Sequence, residues 1–178
     1  MFWLYMIIAI VVLLAVVIVV LALVAPKGAT VERSIVVNVP PEKAFDYLRS
    51  LKNFESWSPW GKRDPDMQRG IRGTDGELGS VAWWKGNKQV GEGEQEVIKL
   101  ESPSHIGMEL RFLKPFKATN EAWFKLASVG NGTKVSWGFH AVFKPPMNIM
   151  MMFMNMDKAI GKDYEEGLAS LKKTLETA

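Results

Sequence analysis

His105-Ile106-Gly107-Met108-Glu109-Leu110-Arg111-Phe112-Leu113 decides the fold. Ile106, Met108, Leu110 and Phe112 fall on one side of an extended chain, with Glu109 and Arg111 on the other. That period of two reads as a strand with one face buried and one wet. Working outward, Thr133–Phe143 repeats the pattern: Val135, Trp137, Phe139 and Ala141 oppose Lys134 and Ser136. Gly79–Lys85, Gly91–Leu100 and Thr119–Ala127 also read as strands. The breaks between them are short: Gly86-Asn87, Ser102-Pro103-Ser104, Lys114-Pro115 and Gly130-Asn131-Gly132. Gaps of that length predict antiparallel hairpins rather than crossover units. A sheet apolar on one face needs a cover.

Upstream, Thr30–Val39 reads as a further strand, stopped by Pro40-Pro41. Pro41 suits the first turn of a helix, where its missing N–H costs nothing. Glu42–Leu51 follows, with Ala44, Phe45, Leu48 and Leu51 at helical spacing. Asn53 is placed to cap a second short helix through Trp57, and Ser58-Pro59-Trp60-Gly61 breaks it. Downstream, Pro145-Pro146 opens a segment with no later proline, weakened only by Gly161 and Gly167. Phe153, Ile160, Tyr164, Leu168, Leu171 and Leu175 form one stripe along it. A helix of about 30 residues would be roughly 45 Å long, enough to cross a whole curved sheet. The expected class is α+β: a curved antiparallel sheet of six or seven strands around one long C-terminal helix, with a hollow between them.

The other end of the chain is unlike this. Of 178 residues, Phe2–Ala25 carry no charge and no Pro or Gly, and all 22 basic and 19 acidic side chains follow Pro26. Those 24 residues, as a helix, reach roughly 36 Å, against a hydrocarbon core of about 30 Å. Trp3 and Tyr5 sit at one end, as interfacial aromatics do. A cleaved signal peptide would have a basic start and a shorter apolar core, and Pro26 would follow the cut. The reading is an uncleaved single-pass anchor, residues 1–26, followed by one domain, 27–178. Lys27, Arg33 and Lys43 follow the span and favour a cytoplasmic domain. Residues 26–30 make a tether spanning about 16 Å at most, which keeps the domain near the bilayer. The absence of cysteine excludes a disulfide scaffold, a thiol nucleophile and an iron–sulfur cluster. A net charge of +3 with no Lys/Arg run does not fit a nucleic-acid binder.

The order of elements and several motifs resemble the helix-grip superfamily of START and Bet v 1-like proteins, also labelled SRPBCC or polyketide cyclase/dehydrase-like. The resemblance is strongest to bacterial members with an N-terminal membrane segment. It is carried by Val31-Glu32-Arg33-Ser34-Ile35, by Pro40-Pro41-Glu42-Lys43-Ala44-Phe45-Asp46-Tyr47-Leu48 and by Trp57-Ser58-Pro59-Trp60. Trp84-Lys85-Gly86-Asn87, Gly91-Glu92-Gly93, Thr133-Lys134-Val135-Ser136-Trp137 and Met156-Asp157-Lys158 complete it. It covers about residues 30–176 and implies the fold. Members of that superfamily bind sterols, lipids, hormones or polyketides, regulate partners, or catalyse, so activity must come from the site.

The residues offer no catalytic set. The chain has two histidines. His105 opens a strand and is expected at the surface, and His140 is out of phase with Trp137 and Phe139. No metal triad, phosphate loop, nucleophile elbow or dinucleotide fingerprint is present, so neither metal nor cofactor is implied. Gly91-Glu92-Gly93 reads as a bulge or turn. Glu92, Glu94 and Glu96 share one strand face, expected to be the solvated one, which turns Gln95 and Val97 inward. Trp84, Phe112, Phe124, Trp137 and Phe139 fall on the inner face and, with Phe153 on the helix stripe, are the candidate ligand-binding residues. Asp157 lies between Phe153 and Ile160 on the stripe. It reads either as a helix-edge residue bonded to the sheet or as the pocket's polar anchor, its pKa raised by desolvation. Trp57 and Trp60 either close a mouth or pin their loop. Six methionines between Met147 and Met156 line a pocket entrance, rest on the bilayer, or fill the core. The resulting expectation is membrane-anchored binding of a hydrophobic small molecule, lipid or isoprenoid-like, and leans away from an enzyme. An acid/base cyclase or dehydratase and a ligand-free interaction module stay open as alternatives.

Overall fold

Strands that are apolar on alternate residues must align their rows, and here they do. In the computed structural model, which describes residues 1–177, the strands are β1 (Gly28–Val37), β2 (Gln68–Arg72), β3 (Val81–Lys85), β4 (Glu92–Glu101), β5 (His105–Lys114), β6 (Ala118–Val129) and β7 (Gly132–Val142). They form one seven-stranded sheet in the order β1-β7-β6-β5-β4-β3-β2. From β2 to β7 each strand pairs antiparallel with its neighbour in sequence. Ile106 faces Phe124, which faces Trp137; Met108 faces Ala122, which faces Phe139. These rows make the buried face, with Ile106, Met108, Phe124 and Val135 fully enclosed.

The helices are α1 (Phe2–Val24), α2 (Pro41–Arg49), α3 (Phe54–Trp57), α4 (Met147–Met151) and α5 (Met156–Thr177), with 3-10 turns at Leu51–Asn53 and Pro59–Lys62. The chain divides into two units. One is Met1–Ala29 with Val142–Asn155; the other is Thr30–Ala141 with the residues from Met156 onward. The second holds the sheet and α5. Tyr164, Leu168, Leu171 and Leu175, at helical steps, are the buried stripe of α5.

Gly167 shows why this helix tolerates glycine. A Cβ there would stand 2.8 Å from Trp137 Cζ3 and 3.3 Å from Pro59 Cδ. The residue trades helix propensity for close approach of helix and sheet.

Three expectations change. The C-terminal helix is 22 residues long, about 33 Å, not about 30 residues. Residues 152–155 interrupt it, and the preceding segment belongs to the other unit, where Asn148 Nδ2 donates to the Ala22 carbonyl at 2.7 Å. Phe153 therefore lies in a turn, 88% exposed, and not on the stripe. Asn53 does not cap α3 with its side chain; its Nδ2 donates to the Tyr47 carbonyl at 2.9 Å. Strand β2 was not expected, since Gln68-Arg69-Gly70-Ile71-Arg72 has no apolar alternation.

Gly167→Ala would gain about 1 kcal/mol of helix propensity but force overpacking worth roughly 1–3 kcal/mol against Trp137. The expected outcome is a lower Tm for the detergent-purified chain, followed by near-ultraviolet circular dichroism of the tryptophans. A raised Tm would show that Trp137 is free to move aside.

Candidate functional site

Between the concave face of the sheet and α5 lies a cavity of about 680 Å³, within the range of small-molecule sites. Its floor is sheet: Trp84 from β3, Gln95 from β4, Leu110 and Phe112 from β5, Ala122 from β6, and Trp137 and Phe139 from β7. Its roof is helical, with Leu51, Phe54 and Trp60 from the short helices and Ile160 and Tyr164 from α5.

Local sequence places these groups. Asp75 anchors the start of the short-helix segment, accepting from Leu51 N at 2.7 Å and Ser50 Oγ at 2.6 Å. Ser58 and Pro59 then start the next turn, Ser58 Oγ accepting from Trp60 N at 3.4 Å. This turn brings Trp60 to the edge of a cluster centred on Trp137. Tyr164 stacks on Trp137 at 3.9 Å with planes 5° apart. Trp57, Trp60 and Phe54 meet Trp137 edge-on at 5.0, 5.5 and 5.8 Å. At the opposite end, Trp84 and Phe112 pair edge-to-face at 6.1 Å. Gly93 faces both across the sheet, and a Cβ there would collide with the Trp84 indole. The ladder shifts register between Glu92 and Gly93, the bulge expected from the sequence.

The polar groups are few. Tyr164 is 3% exposed, and burial pushes its hydroxyl pKa up, so it is a neutral donor at any physiological pH. Tyr164 lines the cavity. Gln95 turns inward as its parity required, its amide on the Met108 thioether at 2.5 Å, a weak acceptor. At the rim, Arg63 pairs with Asp163 at 2.5 Å and Arg69 with Glu55 at 2.8 Å.

Of the seven candidates, Trp84, Phe112, Trp137 and Phe139 are brought together on the cavity wall. Phe124 lies in the core behind it, 5.8 Å from Trp137 and 5.9 Å from Trp57. Phe153 is outside the cavity's unit. Asp157 is the helix-edge residue and not the cavity's anchor. Its side chain is 61% exposed and both its oxygens accept from Arg33, at 2.8 and 2.9 Å. That bonding holds its pKa below the usual carboxylate value, the reverse of the rise expected for a desolvated anchor. Glu94 and Glu96 bind Arg111, each at 2.8 Å, on the other face from Gln95. His140 Nδ1 lies 2.8 Å from Thr30 Oγ1, and His105 Nδ1 3.4 Å from Glu101. Trp57 is buried and pins its loop, while Trp60 lines the cavity. The sequence reading missed Tyr164 as the polar group and both rim pairs. The one available signal was a phenol on the same helical stripe as three leucines.

Residues 28–176 match the family described as polyketide cyclase/dehydrase and lipid transport. No curated protein matches the chain. Solved structures share the fold. A protein from Rhizobium leguminosarum is 14% identical, covering 85% of this chain and 97% of its own, with a TM-score of 0.62. Ara h 8.0201 is 13% identical over 85% of this chain and 99% of its own, with a TM-score of 0.57. Aha1 from Colwellia psychrerythraea is 20% identical over 83% and 96%, with a TM-score of 0.56.

The Arg33 pair has a pH signature. A carboxylate with a lowered folded-state pKa stabilises the fold above its unfolded value, near 3.8, and loses that contribution as pH falls through the folded value. Asp157→Asn should therefore be less stable than the parent at pH 7, and the gap should close as pH falls below 3.8 and through the lowered folded-state value. Urea titrations across that range check this. A gap persisting in acid would mean that Asp157 acts through something other than its charge.

Proposed function

The chain belongs to the polyketide cyclase/dehydrase and lipid-transport family, and from that premise we propose that it binds a hydrophobic small molecule, lipid or isoprenoid-like, in the cavity between sheet and α5. In this reading α1 is a single membrane span and the domain lies on the cytoplasmic side. The observation that carries the proposal is the cavity itself: about 680 Å³ walled by Trp, Phe, Leu and Ala. Apolar walls contribute affinity at roughly 25 cal/mol per Å² of ligand surface removed from water. Tyr164 sets orientation: its hydroxyl donates to a carbonyl or hydroxyl on the ligand. α1 supports the membrane part, being 23 residues of apolar helix with none of its residues buried. Only Ala25–Lys27 separate it from β1, so the cavity's owner stays close to a reservoir of apolar ligands. Lys27, Arg33 and Lys43 after the span favour the cytoplasmic side.

The test uses the full chain in vesicles carrying an alkyl-diazirine fatty acid. Irradiation should crosslink peptides holding Leu110, Ala122 or Phe139, and Ala122→Phe, which fills the cavity, should abolish those adducts while leaving adducts on α1. Adducts on α1 alone in the parent protein would overturn the binding reading. Tyr164→Phe should weaken a carbonyl- or hydroxyl-bearing ligand about five-fold, equivalent to about 1 kcal/mol for one neutral hydrogen bond. An unchanged Kd would remove Tyr164 from the site.

A further inference from the structure

Residues 145–156 contain no charged side chain, and half of them are methionine. Their apolar groups are not hidden. Met150 is 61% exposed, Phe153 88% and Met154 52%, with Met147 and Met152 also open to solvent. An apolar patch of this kind left in water marks a surface that meets something. What it meets follows from where α4 is held. Asn148, fully buried, donates from Nδ2 to the carbonyl of Ala22 at 2.7 Å. Ala22 lies in the last turn of α1, where helix carbonyls lack partners of their own. Along the helix axis it is about 3 Å from Val24, the last helical residue. Just before α4, the Phe143 N–H donates to the carbonyl of Lys27 at 2.8 Å. The segment thus starts beside Lys27, just outside the span, and returns to the depth of the span's final turn.

We infer that residues 145–155 form an interfacial membrane element, which inserts Phe153 and its neighbouring methionines among lipid headgroups and upper acyl chains beside the exit of α1. The inference rests on α1 being a membrane span. Lipid, rather than a protein partner, is the fitting occupant because the patch is continuous with the apolar end of α1, which in that reading is already surrounded by lipid. The charges agree. Lys27 and Lys144, both exposed, flank the uncharged stretch at the level where anionic headgroups sit, and no acidic residue occurs between Glu121 and Asp157. Methionine, flexible and polarizable, adapts to a fluid surface. Short amphipathic elements lie in this plane without spanning it.

The chain has no native cysteine, so single-cysteine variants of the full chain can each carry an environment-sensitive NBD probe. The variants are Phe153→Cys in the patch and Val17→Cys in mid-span, in vesicles of phosphatidylcholine and phosphatidylglycerol. Phe153 packs against almost nothing, so its replacement should leave the fold intact. The probe at 153 should lose most of its emission to a nitroxide high on the lipid acyl chain. The probe at 17 should lose it to a deep nitroxide instead. Deep quenching at 17 with a water-exposed, unquenched probe at 153 would overturn this inference and leave the anchor standing. A blue-shifted but unquenched probe at 153 would also overturn it, since protein would then cover the patch. No quenching at 17 would remove the anchor and this inference together.

Discussion

The face-to-face contact of Tyr164 with Trp137 joins the two layers of the sheet domain. Around it, Phe54, Trp57 and Trp60 approach Trp137 from the short helices, so three elements close on one indole. The contact needs Gly167 on α5, where a Cβ would meet the same indole at 2.8 Å. Beyond Trp137 toward β2 the layers part. The sheet curves away from the helix there, and the cavity opens between them. The cavity is the geometric remainder, and Trp84 with Phe112 covers its far wall.

The remainder is largely apolar because the inward parity of β3, β5 and β7 is apolar. Outward parity carries the charges, Arg111 holding Glu94 and Glu96 on the far side of β4 and β5. The same alternation that makes the sheet fold therefore lines the cavity, and a binding wall needs no residues beyond those the core demands. The polar exceptions, Gln95 and Tyr164, are correspondingly informative. Each faces the cavity.

Much of this was legible before the structure. Strand parity is local, so Trp84, Phe112, Trp137 and Phe139 could be assigned inward from their neighbours alone. Phe124 shares that parity and still lies behind the wall, because Trp57 covers it; parity tells inward from outward but not cavity from core. Asp157 has the correct helical phase relative to Ile160 and Tyr164, but it sits in the first turn of α5, where Arg33 of β1 receives it. Phase says which side a residue faces and not what stands opposite. The break at residues 152–155 carries no proline or glycine to announce it, and the bond that holds the preceding segment, Asn148 on Ala22, joins positions 126 residues apart. The rim pairs were hidden likewise, since Arg69 lies on the strand with no apolar pattern.

Those rim pairs bear on time rather than affinity. Arg63–Asp163 and Arg69–Glu55 lie among the lining residues, and all but Asp163 keep a third or more of their side-chain surface in water. Exposed ion pairs of this kind are worth at most about 1 kcal/mol each. Thermal motion breaks such a latch constantly, and salt weakens it further. A ligand inside is thus held by the walls it wets and not by the door. Its dwell time should follow the apolar area it buries, long for a bulky chain and brief for a small one.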